Sequence, residues 1–332
     1  MTTAADRALL QRLAAGPVSG DALAREAGQT RAAVWKRIQG LRQAGLAIEA
    51  RPGVGYALAA PVDLLDAGRI AAALPADLRA GIDALDVAWS LDSTSSELLR
   101  RGAAGRGAQV LLAERQSGGR GRRGRTWASP LAANLYLSVA RGFDGGLARL
   151  GGLSLVAGVA VAEALRALGA AAAGLKWPND VVVADAGGLR KLGGILVEGG
   201  GEHAGPARAV IGIGLNVRMP AAAAADIGQP WIDLQALLDP APSRNALAAA
   251  VLAELLPALA RFDREGLAPF LARYAGCDAL AGTRVQVHAG DGVHEGVALG
   301  LGGDGALRLR TAQGERVFHA GEVSLRRAES AA

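Results

Sequence analysis

The chain has 332 residues, 51% of them hydrophobic, and a net charge of +5. That length allows two or three domains with a sizeable core, and no apolar run reaches the ~20 residues of a membrane span, so no membrane partner is expected. Cys277 is the only cysteine, the first residues lack a basic segment followed by an apolar run, and the four histidines have no metal-ligand spacing; a cytoplasmic protein without a disulfide or a protein-held metal is expected.

The charge is uneven. Residues 1–60 hold eight basic and four acidic groups, a net +4, which points to nucleic acid at this end. Residues 7–14 predict a short amphipathic helix, and Ser19 caps a second over 20–27. Thr30 caps a third over 31–44, stopped by Gly45, with Val34, Ile38 and Leu41 as its buried stripe. Arg31, Trp35, Lys36, Gln39 and Arg42 then fall off that stripe. Two short strands, 46–49 and 55–58, follow as a wing with Arg51 near its tip. This is the pattern of a winged helix-turn-helix over residues 1–60, with Thr30, Arg31, Trp35, Lys36, Gln39, Arg42 and Arg51 as candidate DNA contacts. A helical module that binds no DNA is the alternative.

Residues 61–81 read as a linker with one short helix. A strand over 87–91 opens the second domain, which runs over 82–278. Asp92-Ser93-Thr94-Ser95-Ser96 then caps a helix over 97–101; the hydroxyls serve the cap or donate to a ligand there. The strand 110–114 leads through Gln116 into Gly118–Arg125, which packs four glycines and four arginines into eight residues. Glycine permits sharp turns and close approach, and arginine offers a planar fork for phosphate or carboxylate oxygens. Gly119, Gly121 and Gly124 match a G-x-G-x-x-G pattern, but Pro130 and a strand over 134–139 follow instead of a helix, which rules out a nicotinamide site.

An apolar helix over 152–168 comes next, then Lys176-Trp177-Pro178-Asn179-Asp180 at a strand edge; Asn-Asp alone is also ordinary turn chemistry. Only three lysines occur, Lys36, Lys176 and Lys191, in a chain that otherwise uses arginine. Two strands over 191–198 and 209–216 carry internal glycines, a mark of close ligand approach or of tight sheet packing. Residues 220–231 predict a mobile loop bearing Trp231, and Ser243 caps a long helix with Leu247, Val251, Leu255, Leu259 and Phe262 on one face. From Thr283, four alternating segments with Gly-Asp-Gly turns predict a small antiparallel barrel over 279–330.

The loop Gly119–Trp127, the Lys176–Asp180 segment and Lys191-Leu192-Gly193-Gly194-Ile195-Leu196-Val197-Glu198, in this order, resemble the biotin protein ligase family in its bifunctional, operon-repressing form, over about residues 7–328. The resemblance implies an α/β (α+β) multidomain fold: an N-terminal winged helix-turn-helix, a central mixed-sheet ligase domain and a C-terminal SH3-like β-barrel. It implies biotin contacts from Ser93, Thr94, Ser95, Gln116, Arg120 and Arg122, with the backbones of Gly121, Gly194, Gly212 and Gly214 lining the pocket. Lys176, with Arg120 and Arg122, would be catalytic, Lys176 contacting the biotin carboxyl and the phosphate. Arg122, Arg125, Trp127, Asn179, Asn216 and Trp231 would serve ATP and the adenylate. The family usually has asparagine where this chain has Ser95.

The implied substrates are biotin and ATP, with Mg²⁺ carried on ATP. The implied partners are the biotin carboxyl carrier protein of acetyl-CoA carboxylase, operator DNA and a second copy of the chain in a ligand-promoted homodimer. The reaction joins two anions, a carboxylate and an α-phosphate, so fixed cations must offset their repulsion. A ligand-sensing repressor without ligase activity, or a ligase for lipoate or octanoate, are the alternatives.

Overall fold

The computed structural model describes residues 3–102, 107–144, 146–185, 188–201, 207–225, 227–320 and 324–327. Helices α1 (Thr3–Ala14), α2 (Gly20–Glu26) and α3 (Arg31–Gln43) precede a hairpin of β1 (Ile48–Arg51) and β2 (Gly55–Leu58). Ser19 and Thr30 accept the N–H groups of Ala22 and Ala33, so both predicted caps form. Val34, Ile38 and Leu41 are buried with Leu10, Leu13 and Ile48, a core separate from that of the next domain. The first helix starts at Thr3, earlier than expected.

Residues 61–81, read as a linker with one short helix, carry two. They contain α4 (Ala67–Ala73), capped by Asp66, and α5 (Ala76–Ala80). Leu65, Ile70 and Leu74 are buried in the core of the central domain. Asp63 binds the start of the long helix: its carboxylate accepts the Arg244 N–H (2.7 Å) and the Asn245 amide (3.1 Å). Leu65 N–H donates to Glu114 (2.6 Å), whose other oxygen pairs with buried Arg244 (2.7 Å).

The central domain contains β3 (Ile82–Ala88), α6 (Thr94–Arg101), β4 (Ala108–Ala113), β5 (Leu135–Phe143), α7 (Leu153–Ala167), β6 (Ala173–Lys176), β7 (Asp180–Asp185), β8 (Gly188–Gly201), β9 (Ala207–Leu215), α8 (Ala221–Ala224), α9 (Arg244–Glu265) and α10 (Ala268–Ala275). Its seven strands run in the order β3-β4-β5-β9-β8-β7-β6, with β3 and β4 parallel and the other pairs antiparallel, a mixed sheet. Helices α7 and α9 cover one face. Leu135, Leu137 and Val139 of β5 and Ile211, Ile213 and Leu215 of β9 point into that core.

Strand side chains alternate between faces, so the residues between those positions point to the opposite side. They are Tyr136, Ser138, Gly212 and Gly214, with Ser138 directly opposite Gly212 in the register. The sheet therefore has one aliphatic face and an opposite face that is bare at Gly212 and Gly214. That second face is roofed only in part by α6, through Leu98, Leu111, Ala140 and Val210.

At the C-terminal end, β10 (Arg284–Ala289), β11 (Gly292–Leu301), β12 (Leu307–Thr311), β13 (Gly314–Phe318) and β14 (Ser324–Arg327) form an antiparallel sheet in the order β13-β12-β11-β10-β14. β14 was not anticipated; it pairs with β10 across a long sequence gap. The observed antiparallel sheet is consistent with the SH3-like barrel. Val285, Val287, Leu309 and Phe318 join the central core, and the buried Trp177 indole N–H donates to Gly305 C=O (3.1 Å).

Candidate active site

A cleft of about 1380 Å³ opens over the glycine-bearing part of the sheet's second face. The sequence-predicted Ser93, Thr94, Ser95, Gln116, Arg120, Gly121, Arg122, Arg125, Trp127, Lys176, Asn179, Gly194, Gly212, Gly214, Asn216 and Trp231 all line it. Its floor is glycine for a steric reason. A Cβ at Gly214 would stand 2.5 Å from Trp127 Cε2, and one at Gly212 would stand 2.4 Å from Ser95 Oγ. Gly121 is different: a Cβ there meets only ordinary contacts, so its place in the loop does not demand glycine.

The ends of the cleft differ chemically. One end is neutral. Ser93 caps α6 through the Ser96 N–H (3.4 Å), and Thr94 and Ser95 are buried in its first turn. Thr94 N–H and Oγ1 both donate to Gln116 Oε1, at 2.8 and 3.1 Å. Gln116 Nε2 donates to Ser129 Oγ (3.3 Å), which fastens the far side of the loop.

The other end is cationic. Arg122 sits in a short 3₁₀ turn over Arg122–Gly124, where Arg123 adopts a left-handed φ of 57°. Arg122 donates to Asn179 Oδ1 (3.1 Å) and to Ala320 C=O of the C-terminal sheet. Burial is the main cause that lowers its pKa, with Arg123 adding to it and Asp180 opposing. Asn179 Nδ2 in turn holds Ile195 C=O (2.8 Å). Lys176 ends β6 on the same wall, directly across from Asp180 in the register.

Sequence reasoning missed Lys191 as a site residue. Its Nζ is 2.7 Å from Asp180 Oδ1 and 5.5 Å from the Trp127 ring centroid, and its stem passes beside Gly194. The signal was present: Lys191 is one of three lysines and opens a glycine-notched strand. What was hidden is the β7–β8 pairing that brings Asp180 to it. Asp180 is the one carboxylate lining the cleft among the described residues, and it is already paired. These residues do not fit a protein cage for Mg²⁺; a nucleotide's own phosphate oxygens would have to hold it.

Three of the predicted site segments are also engaged within the protein. Arg120 reaches Ser96 Oγ (2.8 Å) and Glu198 (3.2 Å), next to the neutral end. The Asn216 amide donates to Lys191 C=O (3.3 Å) and Ile232 C=O (3.1 Å), so it holds the Trp231 segment against β8. The segment 220–231 carries helix α8, and Trp231 makes a parallel bridge with Lys191.

The winged helix is joined to the cleft. Ala44 C=O accepts the Leu131 N–H (2.8 Å), and Leu131 is buried among winged-helix residues. Trp35 is 56% exposed on α3, beside exposed Lys36. Arg42 Nε donates to Ile48 C=O (2.8 Å), and the residue also borders the cleft. Arg31 is paired with Asp21 and Arg51 with Glu49, both pairs in solvent. Gln39 is half-buried, and the Thr30 hydroxyl is occupied as the cap of α3.

The architecture thus defines a class: an α/β domain with a glycine-floored cleft, neutral at one end and cationic at the other, carrying a helix-turn-helix module. The biotin/lipoate A/B protein ligase family matches residues 90–216, a helix-turn-helix domain matches 6–57, and the biotin protein ligase C-terminal domain matches 281–326. The bifunctional ligase/repressor BirA of Salmonella typhimurium is 42% identical over 94% of each chain, and that of Escherichia coli is 41% identical over the same share. A solved biotin protein ligase from Aquifex aeolicus, in complex with biotin and ATP, is 28% identical with a TM-score of 0.62, covering 74% of this chain and 100% of its own. The chain belongs to the biotin/lipoate A/B protein ligase family, in the long form that carries an N-terminal helix-turn-helix.

Proposed function

We propose that this protein activates biotin with ATP to biotinyl-5′-AMP and transfers biotin to a lysine of a carboxyl carrier protein. One observation carries the reading: a single cleft has a neutral hydroxyl-and-amide end at Thr94, Ser95 and Gln116 and a cationic end at Arg122, Lys176 and Lys191. A neutral cyclic urea suits the first end and a carboxylate facing a phosphate suits the second. In the first step a carboxylate oxygen attacks the α-phosphorus, and the bond to the leaving pyrophosphate breaks. Lys176, Lys191 and Arg122 offset the repulsion between the two anions, and a compact lysine ammonium reaches between oxygens where a guanidinium is bulkier. Asp180 holds Lys191 in place.

Trp127 closes the floor. Its indole N–H is buried against Gly214 and makes no hydrogen bond among the described residues. In the second step the carrier's amine nitrogen attacks the acyl carbon and AMP departs with the bridging oxygen. Mg²⁺ bound to ATP supplies further charge neutralisation.

The winged helix supports a second role, repression of biotin-synthesis genes by a homodimer on paired half-sites, since α3 presents Trp35 and Lys36 to solvent. Two assays test the readings. ATP–pyrophosphate exchange is expected with biotin and not with lipoate or octanoate; exchange with lipoate alone contradicts the ligand assignment. Retardation of DNA from upstream of biotin-synthesis genes is expected to strengthen with biotin plus ATP; no effect of ligand contradicts the repressor role.

A further inference from the structure

Ser138 is fully buried on β5, between Leu137 and Val139, and does not line the cleft. Its Oγ is 2.7 Å from Thr94 Oγ1 and 3.0 Å from Ser95 Oγ. The donors in this cluster can be worked out. Thr94 N–H can only donate, so the Gln116 atom it meets is the carbonyl oxygen; for all four contacts of the cluster to be made at once, Thr94 Oγ1 donates to that same oxygen. Ser138 then donates to Thr94, and Ser95 donates to Ser138. The chain runs one way, from Ser95 through Ser138 and Thr94 to Gln116, with all three protons committed inside the protein.

The consequence reaches the ligand. With their protons spent, Thr94 and Ser95 offer the cleft lone pairs only. We propose that Ser138 is a positioning residue that fixes this polarity, so that the neutral end selects a ligand carrying N–H donors, as the two ureido nitrogens of biotin do. The inference rests on the reading above that the urea occupies this end. Without Ser138, Thr94 still donates to Gln116, but Ser95 loses its acceptor and its proton turns toward the ligand's N–H.

The test is a pair of single variants and their double, read as biotin KM in ATP–pyrophosphate exchange, with ATP KM and kcat alongside. Ser138→Ala is expected to raise biotin KM about three- to tenfold, the worth of one hydrogen bond, with ATP KM and kcat within about twofold of the parent. Ser95→Ala is expected to raise it as well, and Ser95→Ala/Ser138→Ala no further than Ser95→Ala alone, because Ser138 acts through Ser95. Additive losses in the double variant, or a Ser138→Ala effect on kcat and ATP KM as large as on biotin KM, would show a packing role and overturn the proposal alone. An unchanged biotin KM in Ser95→Ala would overturn the placement of the urea and the proposal with it. Should Ser138→Ala fail to fold, Ser138→Cys keeps the volume with a weaker donor and acceptor, and an intermediate rise in biotin KM is expected; no rise there overturns the proposal.

Discussion

Gly214→Ala puts the glycine floor to a direct test. The new Cβ would lie 2.5 Å from Trp127 Cε2 and 2.7 Å from Trp127 Nε1, closer than real Cβ contacts allow. Gly214 sits in the middle of a sheet, hydrogen-bonded between β5 and β8, so the backbone is the stiffer partner. The indole is half-buried and borders the cleft, so the ring is the softer partner. It would then lose its packing on Gly194 and its place beneath Lys191, 5.5 Å away. Overpacking of this kind costs about 1–3 kcal/mol, or roughly 5- to 150-fold in affinity. Because the ring leaves the cleft instead of the core, the cost should fall on binding, with the melting temperature near that of the parent. Exchange kinetics with biotin and ATP give the affinity, and a thermal melt gives the stability. Parent-like KM values for both substrates would refute the claim that Trp127 on its glycine floor forms part of the site.

Two other outcomes follow from the packing. Leu131 belongs to the chain segment after the basic loop, yet its side chain is 2% exposed in the winged-helix core. Leu131→Ala should cost about 2–5 kcal/mol, seen as weaker DNA retardation and faster proteolysis within residues 60–66; loss confined to the ligase domain would contradict this. Asp278 is half-buried beside β6, and burial raises its pKa, against the Leu280 and Ala281 backbone contacts. A carboxyl with a raised folded pKa stabilises the fold below its unfolded pKa, and that contribution is lost as pH rises through the folded value. Asp278→Asn should therefore melt above the parent at pH 7, with the gap closing toward pH 4; a gap that widens on acidification would be the wrong sign.

Much of the fold was legible where one residue class repeats at one period. The Val34, Ile38 and Leu41 stripe and the alternation Ile211-Gly212-Ile213-Gly214-Leu215 each encode a face locally. The motifs Gly119–Trp127 and Lys176–Asp180 placed most of the cleft lining. What escaped depends on distant partners. Leu65, Ile70 and Leu74 lie among alanines, and only docking against the central core shows them as buried. Lys191 acquires meaning from Asp180 across a strand pair, and Ser138 from α6 packed over it. The tie from Arg42 Nε to Ile48 C=O shows only once the wing has folded against α3.

Charge at Lys191 is the most direct test that two anions meet in this cleft. Lys191→Gln removes the ammonium that stands between Asp180 and Trp127 while keeping a polar stem of similar reach. Biotin-dependent ATP–pyrophosphate exchange is predicted to fall by about 100-fold or more, the scale of losing one transition-state charge partner, with the melting temperature near the parent's. Exchange within a few-fold of the parent would contradict the account.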